Sequence, residues 1–371
     1  MIRRATVLTA LFLLELASAR LASAEPMFLS KQYTRCTSCH FSPTGGGLLT
    51  PYGRSLSREE LSTTGRGSSN PSEHEFLFGA FGKSLGNLSL GLEVRPASLN
   101  IDFDGGSFNR NFLMNADLKA AFKSGPWSAY AEAGRQGRTA SPVYKSFEHW
   151  ASYQPETGFG IRAGRFLPAF GVRVPDHSAF TRTPLGLNTM DQIYGVELTH
   201  VSEKGLVQVS IGPGRADSLT ADDGRGATTA TGRLQLDFGS TRSLVLSGLI
   251  RGKADFAAAE KATGLAFGIA PTRRVSLWTE ANVRFIDGVK GRSYFLANET
   301  SVEVYRGLWV KFAPQLRTTP GDSAGGTWRT SLALDFLPRT HWNVGLNYYR
   351  DKDRKSSRVT KTFLAQLFLY L

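Results

Sequence analysis

The stretch FLMNADLKAAF, from Phe112 to Phe122, has an apolar side chain at every even-numbered position. Asn115, Asp117 and Lys119 lie between them, so a strand formed here has one apolar and one polar face. Segments 88–95 and 275–285 repeat this period of two. The recurrence predicts an all-β fold built from many strands, each about ten residues long.

The joints between the strands distinguish a soluble β-sandwich from a membrane barrel. After residue 24 the chain has no apolar run of the ~18 residues that a transmembrane helix needs. Short and long polar joints alternate, which is typical of an outer-membrane barrel with short periplasmic turns and long extracellular loops. Counted from about Gly86, the pattern predicts an antiparallel barrel of about sixteen strands. The short joints fall at 124–126, 154–158, 202–205, 239–242, 271–273, 305–307 and 338–340, and the long ones at 97–107, 137–141, 167–191, 213–226, 253–261, 287–291, 318–326 and 351–357.

The last nine residues support the barrel. Phe363, Ala365, Leu367, Leu369 and Leu371 place an apolar residue at every second position up to the end of the sequence. Bacterial outer-membrane barrels commonly end on such a strand, whereas the alternative interpretation is the final strand of a sandwich. Taken with the alternating joints, this ending favours the barrel.

The first 24 residues have the layout of a secretory signal peptide. Arg3 and Arg4 precede the apolar run Ala5–Leu14, and the small residues Ala22–Ala24 offer a cleavage site before Glu25. We therefore predict a signal peptide at 1–24, a small N-terminal segment with its linker at 25–70, and a porin-like barrel at 71–371. A signal peptide places the mature chain outside the cytoplasm.

The N-terminal segment contains the two cysteines of the chain, in Cys36-Thr37-Ser38-Cys39-His40. Cys-x-x-Cys-His is the attachment pattern of a c-type haem, in which two thiols bond to the porphyrin and the adjacent histidine binds the iron. We predict one covalent haem c, with Cys36 and Cys39 as thioethers and His40 as the proximal ligand. The alternatives are a disulfide or a redox dithiol, whereas a structural zinc site would need more ligands.

The 25–70 segment is too short to bury a large core, so a covalent haem would also stabilise it. Ser55–Leu61 is predicted to be helical, with Ser57 and Glu60 in capping-box spacing. Residues 62–72 are rich in Ser and Gly, which predicts a flexible tether. Gly45–Gly47 allow either close approach to a flat cofactor or a flexible link. Met27 and His74 are the two candidates for the sixth ligand of the haem iron.

Three short elements together resemble the fused outer-membrane cytochrome–porins, a family that includes extracellular iron oxidases. They are Pro26–Phe28, Cys36–His40, and Leu49–Arg54 with the sequence LTPYGR. The family element, as the resemblance implies it, has Phe where this chain has Tyr52, and it lacks the insertion at Thr44–Gly47. The match covers about thirty residues, and the rest of the likeness is architectural.

The resemblance implies an outer-membrane electron-transfer protein whose haem segment sits in the periplasm or the barrel lumen. Electrons would pass between an extracellular donor and a periplasmic c-type cytochrome or other electron carrier. Ferrous iron is one candidate for the donor. The chain would then be either an iron(II) oxidase-type oxidoreductase or an electron carrier without an enzymatic substrate. The family's motif residues map onto Cys36, Cys39 and His40.

The net charge of +13 is dispersed along the chain, which disfavours a nucleic-acid partner and favours membrane lipid and anionic lipopolysaccharide. Charges on the polar strand faces could line a path for metal ions, although such ladders are ordinary in porins. The 167–191 loop is predicted to fold inward as a constriction. The lumen charges are Glu132, Glu148, Arg162, Glu280, Arg284, Glu299, Glu303, Lys311 and Asp335.

Two classes of function remain open from the sequence. The first is a redox conduit across the outer membrane. The second is a diffusion porin whose haem segment is a plug, a sensor or a docking point. A haem-free barrel with a disulfide-bonded knob is a third interpretation, and the sequence contains no nucleophile–base spacing that would indicate a hydrolase or a transferase.

Overall fold

The computed structural model describes residues 26–33, 35–65, 72–80, 85–136, 143–174, 176, 178–188, 191–213, 227–253, 258–321 and 325–371. The predicted signal peptide at 1–24, most of the predicted tether and the boundary at 70–71 lie outside these residues. Within the described part, no helix combines the length and the apolar character needed to cross a membrane.

The chain forms a closed antiparallel β-barrel. Apart from β13 and β14, each strand pairs with its neighbours in sequence, and β1 pairs with β17, which closes the sheet. The strands are β1 Leu88–Phe103, β2 Gly106–Ser124, β3 Trp127–Gln136, β4 Val143–Tyr153, β5 Gly158–Phe166, β6 Ile193–Ser202, β7 Gly205–Pro213, β8 Thr228–Asp237, β9 Arg242–Arg251, β10 Glu260–Thr272, β11 Val275–Ile286, β12 Ser293–Tyr305, β13 Leu308–Phe312, β14 Gln315–Thr318, β15 Thr327–Phe336, β16 Trp342–Asp353 and β17 Val359–Tyr370.

The barrel has sixteen crossings because β13 and β14 are two halves of one. Both pair with β12 on one side and with β15 on the other, and they are separated by Ala313 and Pro314. Proline has no N–H to donate to the ladder, so it interrupts a strand locally. The predicted all-β barrel of about sixteen strands, with a small helical N-terminal segment, is confirmed.

One predicted long loop is wrong. Instead of ending near Ala97, β1 continues to Phe103, and Asp104 and Gly105 form a two-residue turn into β2. An Asp-Gly pair is a preferred two-residue hairpin turn because both positions tolerate a positive φ, and Gly105 has a φ of 102°. The ladder accommodates Pro96 by a register shift between Arg95 and Pro96. This hairpin is therefore much longer than the alternation alone indicates.

The two faces of the barrel differ as the alternation predicts. Apolar side chains point outward, including Phe159 and Leu118, which are 76% and 65% exposed. Polar side chains point inward and are buried; in one cross-strand pair Arg162 lies opposite Glu197. An apolar outer surface over a polar interior is the arrangement of a barrel that stands in lipid.

Two parts of the chain fill the lumen. The first is the N-terminal insert, residues 26–33 and 35–65, which lies at the end of the barrel with the short turns. It contains α1, Pro26–Ser30, a 3₁₀ turn at Cys36–Ser38, and α2, Pro51–Leu56, which continues into a wider π-type turn at Ser57–Leu61. The second is the inward loop, residues 167–174 and 178–188, with a 3₁₀ turn at Thr183–Leu185. A third such turn, Phe76–Gly79, precedes the barrel.

The helix of the insert starts earlier than predicted. Thr50 is the N-cap, with its hydroxyl accepting a hydrogen bond from the Gly53 N–H at 3.1 Å. Pro51 occupies the first helical position, where its missing N–H costs nothing. The proposed capping box at Ser57 and Glu60 is wrong, because Ser57 already lies inside the helical segment.

Candidate functional site

The Cys-x-x-Cys-His motif forms one tight turn. The Cys36 carbonyl accepts hydrogen bonds from the N–H groups of Cys39 at 3.1 Å and His40 at 2.9 Å. His40 then pairs with Leu49 as an antiparallel bridge. This geometry holds both thiols and the imidazole on one compact loop, as the motif requires. Both cysteines are thiols and half-buried.

A turn of three glycines packs against this motif. Gly45, Gly46 and Gly47 have φ values of 82°, 70° and 63°, a left-handed conformation that favours glycine. A Cβ on Gly45 would lie 3.0 Å from the Cys36 Sγ, and one on Gly46 would lie 2.5 Å from the Arg173 guanidinium carbon. The turn is therefore closely packed against Cys36 and Arg173, and close approach to a flat cofactor stays a prediction.

The LTPYGR element supports the motif from the other side. The Thr50 N–H donates to the Cys39 carbonyl at 2.8 Å. Gly53 lies so close to Cys39 that a Cβ would stand 2.9 Å from the Cys39 Cα. The buried Arg54 donates to the Leu90 carbonyl of β1. The element therefore joins the motif to the barrel wall, and glycine is needed where the two backbones meet.

Tyr52, at the position where the family element has Phe, uses its hydroxyl. It lies 2.7 Å from the hydroxyl of Tyr33, and the two rings meet edge to face at 6.1 Å. Tyr33 lines the cavity described below, whereas Tyr52 is 53% exposed. The pair connects the cavity with the outer surface of the N-terminal insert.

A cavity lies between the N-terminal insert and the inward loop, with an empty space of about 890 Å³ that includes the solvent at its opening. Cys36, Cys39 and His40 all line it, so the predicted attachment residues share one space. The other lining residues are Phe28, Tyr33, Arg35 and Thr44–Gly46 from the insert, Leu167–Arg173, Arg182 and Leu187 from the inward loop, and Gln208 and Arg233 from the barrel wall.

The inward loop forms the opposite wall of the cavity, as predicted for a loop that folds into the lumen. Its apolar side chains Phe170, Leu185 and Leu187 pack on inward-facing residues of the barrel. Arg182 donates to the Phe170 carbonyl at 2.7 Å and pairs with Glu280 at 3.0 Å. These contacts fix the backbone at Leu167–Val172 in position as part of the cavity wall.

The residues present fit a covalent haem. The His40 Nδ1 is buried and has no hydrogen-bond partner among the described residues, a condition that costs free energy unless another group satisfies the ring. Burial lowers the pKa of His40 to about 4, with the charge of Arg173 acting in the same direction, so the imidazole is neutral and able to bind a metal. Apolar side chains and backbone supply much of the remaining wall, together with four arginine side chains.

Burial raises the pKa of the Cys39 thiol to about 12, so this thiol is not the reactive member of a dithiol pair. The haem and the redox dithiol both stay open as interpretations of the motif.

The two candidates for the sixth ligand lie elsewhere. Met27 is buried in an apolar cluster with Leu61, Trp309 and Leu337. The His74 Nε2 lies 3.4 Å from the Glu75 carboxylate, near the barrel entrance. Neither lines the cavity. The assignment of Met27 or His74 to the iron stays a prediction that the positions of these side chains do not support.

The predicted lumen charges point inward, and most pair with one another or with the inserts. Arg162 pairs with Glu197 at 2.9 Å and Lys311 with Asp335 at 2.7 Å. Glu303 pairs with Lys31 of the N-terminal insert. These pairs indicate a mainly structural role, while the predicted path for metal ions stays a prediction. The remaining predicted lumen residues, all buried or half-buried, are Glu132, Glu148, Glu280, Arg284 and Glu299.

Several cavity residues escaped prediction because the fold brings them together from distant strands. Arg173 and Arg182 lie in the loop that the sequence singled out, but nothing there indicated which side chains face a cofactor. Gln208 and Arg233 lie on strands in which polar and apolar residues alternate, and nothing in the sequence distinguishes them from the other polar residues of such strands. Their inward direction was predictable, whereas their position beside Cys36 was not.

The fold and the lumen-facing site define a porin-type barrel. Solved structures with this fold include the outer membrane channel DcaP of Acinetobacter baumannii (13% identity, TM-score 0.55, covering 76% of this chain and 97% of that one). They also include an anion-selective porin from Comamonas acidovorans (12%, 0.57, 76% and 99%) and OmpF of Salmonella typhi in complex with daunomycin (10%, 0.58, 76% and 97%). A scan of family models and a search of curated proteins find no match to this chain.

At these identities the likeness concerns the fold alone. Together with the apolar outer surface, it supports a place in the outer membrane. The resemblance of the N-terminal motifs to cytochrome–porins stays a prediction.

Proposed function

We propose that this porin-fold protein carries one covalent haem c in its lumen and passes electrons across the outer membrane. The donor would be extracellular, with ferrous iron as one candidate, and the acceptor a periplasmic c-type cytochrome. One observation carries the proposal: Cys36, Cys39 and His40 line a single cavity, whose opposite wall is the inward loop.

The residues have distinct roles in this proposal. Cys36 and Cys39 would form the thioether bonds, and His40 would bind the iron through its neutral imidazole. The loop backbone at Leu167–Val172 and the side chain of Phe170 would exclude water from one side. When bound, a haem c supplies a one-electron couple whose potential depends on its axial ligands and its burial.

The position of the cavity suits exchange with a partner at the end of the barrel with the short turns. The N-terminal insert contacts the short turns directly, since Thr63 N–H donates to the Leu337 carbonyl at 2.9 Å. Tyr33 reaches from the cavity to the exposed Tyr52. Short turns face the periplasm in outer-membrane barrels, so the insert would present this edge to a periplasmic electron carrier.

The test is expression of the full chain in a host that matures c-type cytochromes. A pyridine haemochrome spectrum should show one haem with two thioether bonds, and it should be lost in the C36A/C39A variant. S38A is the matched control, because Ser38 is an exposed residue inside the same motif. Stopped-flow mixing with ferrous iron should then reduce the haem. A correctly folded barrel without haem absorbance would overturn the proposal.

A diffusion porin is the second candidate, and the likeness of the fold to solved porins favours it. In that case the N-terminal insert would act as a plug, sensor or docking point. Solute flux into liposomes separates the two candidates. Flux that ignores the redox state of the haem, together with no electron exchange with ferrous iron, would support the porin, whereas negligible flux with rapid exchange would support the conduit.

A further inference from the structure

Arginines are concentrated around the cavity, and one of them has an uncompensated charge. Four arginines line the cavity. Three have a carboxylate partner: Arg35 pairs with Asp237 at 2.7 Å, Arg173 with Glu148 at 3.5 Å, and Arg182 with Glu280 at 3.0 Å. The fourth is Arg233 of β8.

Arg233 has only neutral hydrogen-bond partners. Its Nε donates to the Gly171 carbonyl at 2.8 Å, its Nη1 to Gln208 at 3.1 Å, and its Nη2 to Gln235 at 2.6 Å. Across the described residues, it has no carboxylate within ion-pair distance. Asp237 and Glu280 act on it from farther away, but each is already held by another arginine.

Arg233 is half-buried, so an anion beside it would stabilise its charge. Neutral acceptors offset only part of the cost of removing a charge from water. The planar guanidinium matches the geometry of a carboxylate particularly well. An anionic group in the cavity would supply a counter-charge, and a haem carries two propionate carboxylates.

We propose that the cavity wall at Arg233 is a carboxylate subsite, which takes a propionate of the haem attached to Cys36 and Cys39. This inference rests on the proposed haem. Arg233 would be a positioning residue that fixes the orientation of the porphyrin from the side of the barrel wall. Its bond to the Gly171 carbonyl would tie the inward loop to the same subsite.

The proposal predicts the sign of a change in redox potential. Ferric haem carries one more positive charge than ferrous haem, so a nearby cation disfavours the ferric form and raises the midpoint potential. Replacing Arg233 by a neutral residue should therefore lower the potential. A variant that keeps the positive charge should retain most of the wild-type potential, although it loses the bidentate hydrogen bonds to the carboxylate.

The experiment compares haem-loaded, full-length wild type, R233Q, R233K and R274Q. Arg274 is an exposed arginine at the turn between β10 and β11, so R274Q is the matched control. Redox titration should give R233Q the lowest potential, R233K an intermediate value, and R274Q the wild-type value. The propionate bending band in resonance Raman spectra should shift in R233Q and R233K but not in R274Q.

The outcomes separate this inference from the proposed function. Haem-loaded R233Q with the wild-type potential and Raman band would overturn the subsite alone. Absence of haem from the wild type would overturn the proposed function and the subsite with it. If R233Q does not assemble, R233K decides: a shifted Raman band supports the subsite, and an unchanged band overturns it.

Discussion

The two inserts in the lumen differ in how their contacts with the barrel are distributed. The N-terminal insert is held at many separate points. The N–H groups of Thr63 and Thr64 donate to rim carbonyls at 2.9 and 3.2 Å, an apolar cluster forms around Met27, and Lys31 and Arg35 form ion pairs with the barrel wall. In the inward loop, the apolar cluster around Phe170 is joined by one central ion pair, Arg182–Glu280.

This difference determines where each insert is sensitive to mutation. Because the contacts of the N-terminal insert are distributed, the loss of any one of them should leave the insert docked. The inward loop depends more on one buried ion pair, and a buried charge left alone is costly. The inward loop should therefore respond strongly to single changes at its arginine.

R182M should have the largest effect. It removes the ion pair and two hydrogen bonds to loop carbonyls, and it leaves Glu280 buried without its partner. Breaking a buried pair in this way typically costs about 3–5 kcal/mol. We expect the loop to leave the lumen, which would show as faster limited proteolysis of the loop and higher single-channel conductance.

The control for R182M is R306M in the other insert. Arg306 donates to the backbone carbonyls of Ser62 and Glu59 at 2.8 and 2.7 Å, so its removal leaves no charge unpaired. If R306M opened the channel as much as R182M, the contrast between distributed anchoring of the N-terminal insert and concentrated anchoring of the inward loop would be wrong. The double variant R182M/E280Q should recover part of the loss.

L198R tests the barrel wall on which both inserts rest. Leu198 is 56% exposed on the outer face of β6. An arginine near the middle of the lipid-facing surface of a barrel costs about 2–4 kcal/mol. Urea unfolding in liposomes should show this loss for L198R and a much smaller one for L198A. Equal stability of L198R and wild type would mean that this face does not meet lipid.

Most of the barrel was predictable because a strand has a short period. Alternation such as that at Phe112–Phe122 identifies strands without knowledge of their partners, and alternating joints give the count. The predicted strand ends were wrong where a strand continues beyond its alternating segment. In β1 the strand continues past Pro96 because a register shift absorbs the proline, and Asp104-Gly105 turns the chain in two residues.

The site was predictable only in its local part. Cys36, Cys39 and His40 are adjacent in sequence, so a motif suffices to propose their chemistry. Arg182 and Arg233 reach the same cavity from a loop and from β8, and their convergence depends on barrel closure and on how the loop packs. Spacing along the chain contains no information on such long-range contacts.

G53A tests the close packing between the two halves of the N-terminal insert. The new Cβ would overlap the Cys39 carbonyl and lie 2.9 Å from the Cys39 Cα. Overpacking of this kind costs about 1–3 kcal/mol. We expect the motif to shift and haem attachment to fall, measured as haem per barrel. G248A is the control, because nothing lies within 4 Å of a Cβ there.

The smallest expected effect is that of T50A, which removes the N-cap of α2. The Thr50 hydroxyl accepts from the Gly53 N–H at 3.1 Å, and loss of such a cap costs about 1 kcal/mol. Because the backbone bond from Thr50 to the Cys39 carbonyl remains, the insert should stay docked and keep its haem. Amide exchange over 51–56 should become about fivefold faster in T50A and stay near wild type in T50S, which keeps the hydroxyl. Undocking of the whole insert in T50A would show that a single side chain, and not many distributed contacts, anchors it, and the contrast with the inward loop would then fail.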